Sequence, residues 1–233
     1  RLAVSVRPTV AVFTTGDELV EAGIPLQPGQ IYNSNRELLM GLLRAEGLEP
    51  MAWPTLPDDP ARMGSMLADA AASFDLVLTC GGVSAGEKDH LPALLQAHGH
   101  VHFWKVRMKP GMPLLAGAWD RAQFLGLPGN PVSVLATWLT LGRGLVEGLQ
   151  GRNARPRMFA RLRAPLRTTH ARREFLRGSL AWGEDGTLWV TPDPVSGSHR
   201  LRAASAADVL LVVPEGPQAL AADAVVEVMA IPG

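Results

Sequence analysis

Two spacings of apolar residues alternate along the first part of this chain. Thr9–Thr14 (TVAVFT) is a continuous apolar run rich in β-formers that stops at the turn residue Gly16, so it predicts a buried strand. In Asn33–Glu46 the apolar positions fall at helical spacing: Leu38, Leu39, Leu42 and Leu43 form one stripe, and Ser34 and Glu37 stand at capping-box distance. Asp58–Ala72 repeats the helical pattern, with Asp58 or Asp59 as N-cap and Pro60 in the first turn, where a missing N–H costs nothing. Asp75–Thr79 (DLVLT) reads as a second buried strand. Short strands are expected at His102–Val106, Pro113–Trp119 and Gln123–Leu127, and a helix over about Asn130–Leu149 with Pro131 at its first position. Alternation of this kind predicts an α/β fold, a mostly parallel sheet covered on both faces.

From Arg155 onward the rhythm changes. Strand candidates at Met158–Leu162, Glu174–Trp182, Leu188–Thr191, Val209–Val213 and Val225–Met229 are separated by Gly, Pro and Asp turns, which predicts a small β-barrel or sandwich. Charge supports the division. Residues 1–150 carry 11 basic and 14 acidic groups and residues 151–233 carry 11 and 8, so the parts have net charges of −3 and +3. The expected domains are 1–151 and 152–233.

Over all 233 residues, 22 Lys+Arg balance 22 Asp+Glu, which argues against a chain built mainly to bind nucleic acid or an anionic membrane. The strongly apolar stretch around Val132–Leu141 is broken by Thr137 and Thr140 and falls well short of the roughly 20 residues a membrane span needs. One cysteine excludes an internal disulfide and a cysteine-based zinc site, which points to a reducing, cytoplasmic compartment. The first residue, Arg1, rather than Met, predicts that this is part of a longer chain.

Ligands of open α/β sheets bind beyond the carboxyl ends of the strands, and three loops there combine glycines with hydroxyls or carboxylates. They are Thr14–Glu18, Gly81–Asp89 and Pro128–Ser133, and none is a Walker A or GxGxxG motif. Glycine lets backbone N–H groups approach an anion closely. Asp17, Glu18, Asp58, Asp59, Glu87 and Asp89 fall near the same strand ends, and carboxylates facing one cleft call for a hard cation such as Mg²⁺ or a cationic substrate. There are only three lysines, Lys88, Lys105 and Lys109, against nineteen arginines. Lys105 and Lys109 are expected on one face of a strand-like segment, where they would hold a phosphate or other oxyanion at two points. His98, His100 and His102 alternate like a solvent-facing strand entrance. Cys80 reads as a packed residue rather than a nucleophile. The nine arginines between Arg152 and Arg177 fit the wet face of a β-domain.

Six motifs in order carry a resemblance. They are Thr15-Gly16-Asp17-Glu18-Leu19, Gly29-Gln30-Ile31-Tyr32-Asn33-Ser34-Asn35, Asp58-Asp59-Pro60, Gly81-Gly82-Val83-Ser84, Lys109-Pro110-Gly111 and Gly126–Ser133. Together they resemble the molybdopterin molybdenumtransferases, the MoeA and gephyrin E-domain family. The resemblance continues through Arg172-Arg173-Glu174-Phe175 and Gly197-Ser198-His199 to Leu211–Gly216. It implies a molybdopterin-binding three-layer α/β domain followed by a C-terminal β-barrel. The implied reaction inserts molybdenum from molybdate into adenylylated molybdopterin, with release of AMP in a Mg²⁺-dependent step. Carried over by motif, Glu18, Asp58 and Asp89 would be the working carboxylates, with Asp58 and Asp89 on the metal, while Lys105 and Lys109 would grip anionic substrate. Thr15, Gly16, Gly81, Gly82, Ser84, Pro128, Asn130, Pro131, Ser133 and Ser198 would cradle the pterin ligand. A homodimer and the related adenylyltransferase are the implied partners.

Cys80 and Met112 depart from the family pattern, which usually has serine at the first and often lysine at the second. The family's two N-terminal domains have no counterpart in this chain. Two other functions share the fold. The adenylyltransferase lacks the barrel, so residues 156–233 argue against it, and a partner-binding scaffold without turnover would have no use for the acidic and lysine constellation.

Overall fold

The computed structural model describes residues 4–84, 89–193 and 207–232. The first part runs β1 (Val10–Thr14), β2 (Leu19–Val20), β3 (Ile31–Tyr32), α1 (Ser34–Ala45), β4 (Met51–Ala52), α2 (Pro60–Ser73), β5 (Leu76–Cys80), α3 (Leu91–His98), β6 (His100–Trp104), β7 (Met108–Lys109), β8 (Leu115–Trp119) and β9 (Ala122–Leu127). There follows one long helical rod: α4 (Pro131–Thr137), a π turn at Trp138–Gly142, and α5 (Arg143–Leu149). Six of the strands form a sheet in the order β4-β1-β5-β9-β8-β6, parallel from β4 to β9 and antiparallel at β8 and β6.

Strand alternation explains the three layers. Val10 and Val12 point into a core shared with Leu39, Leu43, Val134 and Trp138 of the helices on one face. Ala11 and Phe13 point the other way, to Met63, Leu67, Leu91 and Leu95. Each such leucine, fully buried, contributes about 1.5 to 3 kcal/mol.

The remaining strands are β10 (Met158–Leu162), β11 (Leu166–Thr168), β12 (Arg173–Trp182), β13 (Leu188–Pro192), β14 (Val209–Val213), β15 (Gln218–Leu220) and β16 (Val225–Ala230). Five of them close a barrel in the order β13-β10-β16-β14-β12, with β12 also pairing β13. Its interior is filled by Ala160, Leu162, Val190, Val209, Leu211, Val226 and Val228. The barrel is seated on the helical rod, because Met108, Phe175 and Leu210 share a core with Val134 and Trp138.

Four expectations need correction. The N-cap of α1 is Asn33, whose side chain accepts from the Arg36 N–H, so Ser34 is already inside the helix. Lys105 and Lys109 do not share a strand: β6 ends at Trp104, Lys105 takes the left-handed conformation at φ 70°, and Lys109 belongs to β7. β7 leaves the α/β sheet to pair in parallel with β12 of the barrel. His98, expected on a strand, closes helix α3, which the apolar spacing did not suggest, and stacks on Trp119 with ring centroids 5.0 Å apart. The small pair β11–β15 was likewise not anticipated.

Candidate functional site

A cavity of about 300 Å³ opens at the carboxyl ends of β1, β5 and β9. Backbone bonds draw its loops together. Thr15 N–H donates to the Cys80 carbonyl at 3.0 Å, and Gly81 N–H to the Leu127 carbonyl at 2.9 Å. Gly81 sits at φ 93° with its α-carbon against Thr15, where any Cβ would collide with Thr15 Oγ1. Glycine is required there for conformation and space together. Gly16, at φ 127°, leaves room for the Glu18 carboxylate to fold back over it.

Three acidic residues line this cavity, Glu18, Asp58 and Asp89, with Thr15, Gly16, Gly81, Gly82 and Pro131. The choice between Asp58 and Asp59 is resolved by the helix: Asp59 Oδ1 accepts from Arg62 N–H at 3.0 Å and caps α2, while Asp58 lines the cavity. Cys80 lies in the floor. Burial pushes its thiol far above the ordinary range, so it is packed and protonated.

The Tyr32–Asn35 wall was not legible as part of the site from residue spacing alone. Tyr32 is the aromatic residue of the lining, and Asn33, Ser34 and Asn35 follow it. Asn33 Nδ2 donates to Thr14 Oγ1 at 2.9 Å, and Asn35 Nδ2 to the Gly129 carbonyl at 2.7 Å. Asn35 is buried, and its Oδ1 is left without a partner. These residues belonged to a quoted motif, but their helix-start pattern masked their second role.

A second cavity, about 380 Å³, lies where the α/β layers meet the barrel. Asn130, Val132 and Ser133 line it, whereas Gly129 and Pro131 line the first, so one short turn separates the two spaces. Four of its charged residues come in two pairs. Lys109 Nζ lies 3.0 Å from Glu174 Oε1, and the buried Arg177 Nε lies 3.5 Å from Asp193 Oδ2. Arg172 also lines it and donates to the Met108 carbonyl at 3.3 Å.

Other expected residues fall elsewhere. Lys105 is exposed, its ammonium 4.5 Å from the Trp104 ring, and it lines neither cavity. Ser84 is exposed outside the lining and Pro128 is buried behind it. Ser198 lies outside the described residues. Not all the arginines form a wet face: Arg177 is buried, and Arg155 bridges the buried Glu46 and Glu147.

The family described as "Probable molybdopterin binding domain" matches residues 11–148, and "MoeA C-terminal region (domain IV)" matches residues 160–231. This chain belongs to the MoeA family. A protein of Haemophilus influenzae named molybdopterin molybdenumtransferase is 42% identical over 193 residues, covering 82% of this chain and 48% of that protein. Molybdopterin molybdenumtransferase 2 of Mycobacterium tuberculosis is 37% identical over 228 residues, covering 92% of this chain and 54% of that protein. The crystal structure of a molybdopterin biosynthesis MoeA protein from Pyrococcus horikosii superposes with a TM-score of 0.82 at 28% identity, over 97% of this chain and 55% of that one. The chain therefore spans about half the length of the curated MoeA relatives it matches. Among the described residues no helix is long and apolar enough to cross a membrane.

Proposed function

We propose that this chain is the pterin-binding and barrel portion of a molybdopterin molybdenumtransferase of molybdenum cofactor biosynthesis. In the proposed reaction molybdenum from molybdate enters the dithiolene of adenylylated molybdopterin, and AMP leaves. The observation that carries this reading is the shared wall: the Gly129–Ser133 turn divides an acidic, glycine-floored cavity from one holding lysine and arginine. Adjacent spaces of opposite character suit two substrates that must meet, a phosphate ester presented with a cation and a free oxyanion.

Mg²⁺ fits the first cavity. Among the described residues no three His, Cys, Asp or Glu side chains stand close enough to share an ion, but Mg²⁺ commonly takes one or two carboxylates and fills its shell with waters and substrate phosphate. Asp58 and Asp89 would hold it. When bound it supplies positive charge that neutralises the pyrophosphate of the substrate. Gly81 and Gly82 let the backbone approach the ligand closely, and Glu18 is the group available to take the proton of a water attacking the adenylyl phosphorus. Asn35 holds the dividing turn through Gly129. Lys109, Arg172 and Ser133 receive the oxyanion, with Asn130 shaping the turn as the cap of α4.

The working division is 1–151 for the pterin-binding domain and 152–233 for the barrel, with β7 crossing between them. A reducing, cytoplasmic setting accords with the single buried thiol. A homodimer of the whole protein, supplied by the adenylyltransferase, completes the proposal on family grounds.

The test is equilibrium binding of adenylylated molybdopterin with and without Mg²⁺, followed by AMP release on adding molybdate. Mg²⁺-dependent binding that Asp58→Asn abolishes is the expected result. Binding indifferent to both would overturn the metal and carboxylate roles, and no binding of any pterin by the whole protein would favour the scaffold function.

A further inference from the structure

Lys109 is already engaged. It stands on β7 directly opposite Glu174 on β12, the two residues being register partners in the parallel ladder that grafts this segment onto the barrel. The backbone therefore fixes the encounter, and the Nζ–Oε1 distance is 3.0 Å. The partners differ in freedom. The Glu174 side chain is 8% exposed and that of Lys109 46%, so the carboxylate is the immobile member and the ammonium the one that can turn toward the cavity. In the second pair, Asp193 on Arg177, the exposures are reversed and the cation is the buried member. Among the described residues, three cations and two carboxylates line the space.

Resting on the oxyanion reading above, we propose that Glu174 is a resident counter-ion with which an incoming oxyanion must compete for Lys109, and that this competition sets the affinity and charge selectivity of the second cavity. An ammonium has three N–H donors, so Lys109 can keep one on Glu174 while offering the others to a ligand. The fixed negative charge of Glu174 then opposes every anion that enters. Its repulsion grows with ligand charge, so a dianion such as a tetrahedral metal oxyanion is held back by Glu174 more than a monoanion is. The affinity is held low enough for the oxyanion to leave toward the neighbouring cavity.

The decisive feature is the sign of one substitution. Glu174→Gln keeps an oxygen that accepts from Lys109 and removes the charge. Titration calorimetry with sodium molybdate and with sodium sulfate at low ionic strength is expected to give Kd values about tenfold lower than wild type, the gain shrinking as salt is added because the removed term is Coulombic. Formate, a monoanion, is expected to gain less than molybdate from the same substitution, because the removed repulsion scales with ligand charge. Glu174→Asp, which keeps the charge, is expected to bind like wild type. A merely structural glutamate predicts the opposite: unchanged or weaker binding on going to glutamine. That result, in a variant that melts like wild type, overturns the inference. Should Glu174→Gln fail to fold, Glu174→Asn, which also removes the charge, carries the same expectation, and unchanged or weaker binding there counts equally against it. If the wild-type protein binds neither oxyanion, the oxyanion reading falls and this inference with it. Binding by wild type without tightening in the variants removes the inference alone.

Discussion

The first cavity is walled by loops at the carboxyl ends of parallel strands, and the charged residues of its lining, among those described, are Glu18, Asp58 and Asp89. The second lies where a strand from the α/β part joins the barrel, and its acids are each matched with a base. Loops at strand ends converge by topology and bring side chains from distant parts of the chain to one opening. A junction between two packed bodies must balance its charges when empty, since an unpaired buried charge there would weaken the seam. The difference separates a space built from loop ends from one built across a packed seam.

The largest effect should come from the acidic side. Asp58→Asn is expected to slow AMP release by about 100-fold or more, the scale of a lost charged group in a reaction centre, while molybdate binding changes less than about twofold. Equal losses of both activities would mean that the cavities are not distinct. Next, Gly81→Ala places a Cβ at φ 93° and against Thr15, and should lower the unfolding free energy by about 2 kcal/mol in urea titrations. Gly129→Ala, whose added Cβ would meet only Gly81 Cα at 3.8 Å, should cost less than about 1 kcal/mol. The glycines of the two loops thus differ in kind, and similar values for both would contradict the geometry. Lys109→Ala should weaken oxyanion binding about tenfold and leave Mg²⁺-dependent nucleotide binding intact, as a charge lost from one cavity alone. Smallest of all, Lys105→Ala should alter oxyanion affinity less than about twofold, because a surface cation over Trp104 contributes mainly a local contact of about 0.5 to 1 kcal/mol.

That last contrast marks where the sequence stopped being informative. Continuous apolar runs such as Val10–Thr14 and Leu76–Cys80 announced buried strands because both faces of the sheet are covered. The barrel strands were visible through their turns. Glu18, Asp58 and Asp89 could be grouped because loops at one edge of a parallel sheet converge by topology. Lys105 and Lys109 could not be separated in the same way. Only four positions apart, they look alike until β7 is seen to change sheets, and that is a long-range pairing with β12 which no local pattern encodes. Glu174 was hidden for the same reason, 65 positions away from the lysine it holds. Asn35 was concealed differently, since a residue at a helix start satisfies the local pattern and its bond to Gly129 spans the fold. Helix α3, short and following a glycine-rich loop, offered too few turns for its period to emerge.

Two separate spaces divided by one turn should be filled at the same time, and co-occupancy is the most direct test. Molybdate should be titrated calorimetrically into wild-type protein already saturated with Mg²⁺ and a non-hydrolysable analogue of adenylylated molybdopterin, in which a methylene bridge replaces the pyrophosphate oxygen and blocks turnover. One equivalent of oxyanion binding with the affinity seen in the absence of pterin is the predicted result. Displacement of one ligand by the other would contradict it and reduce the two cavities to a single site.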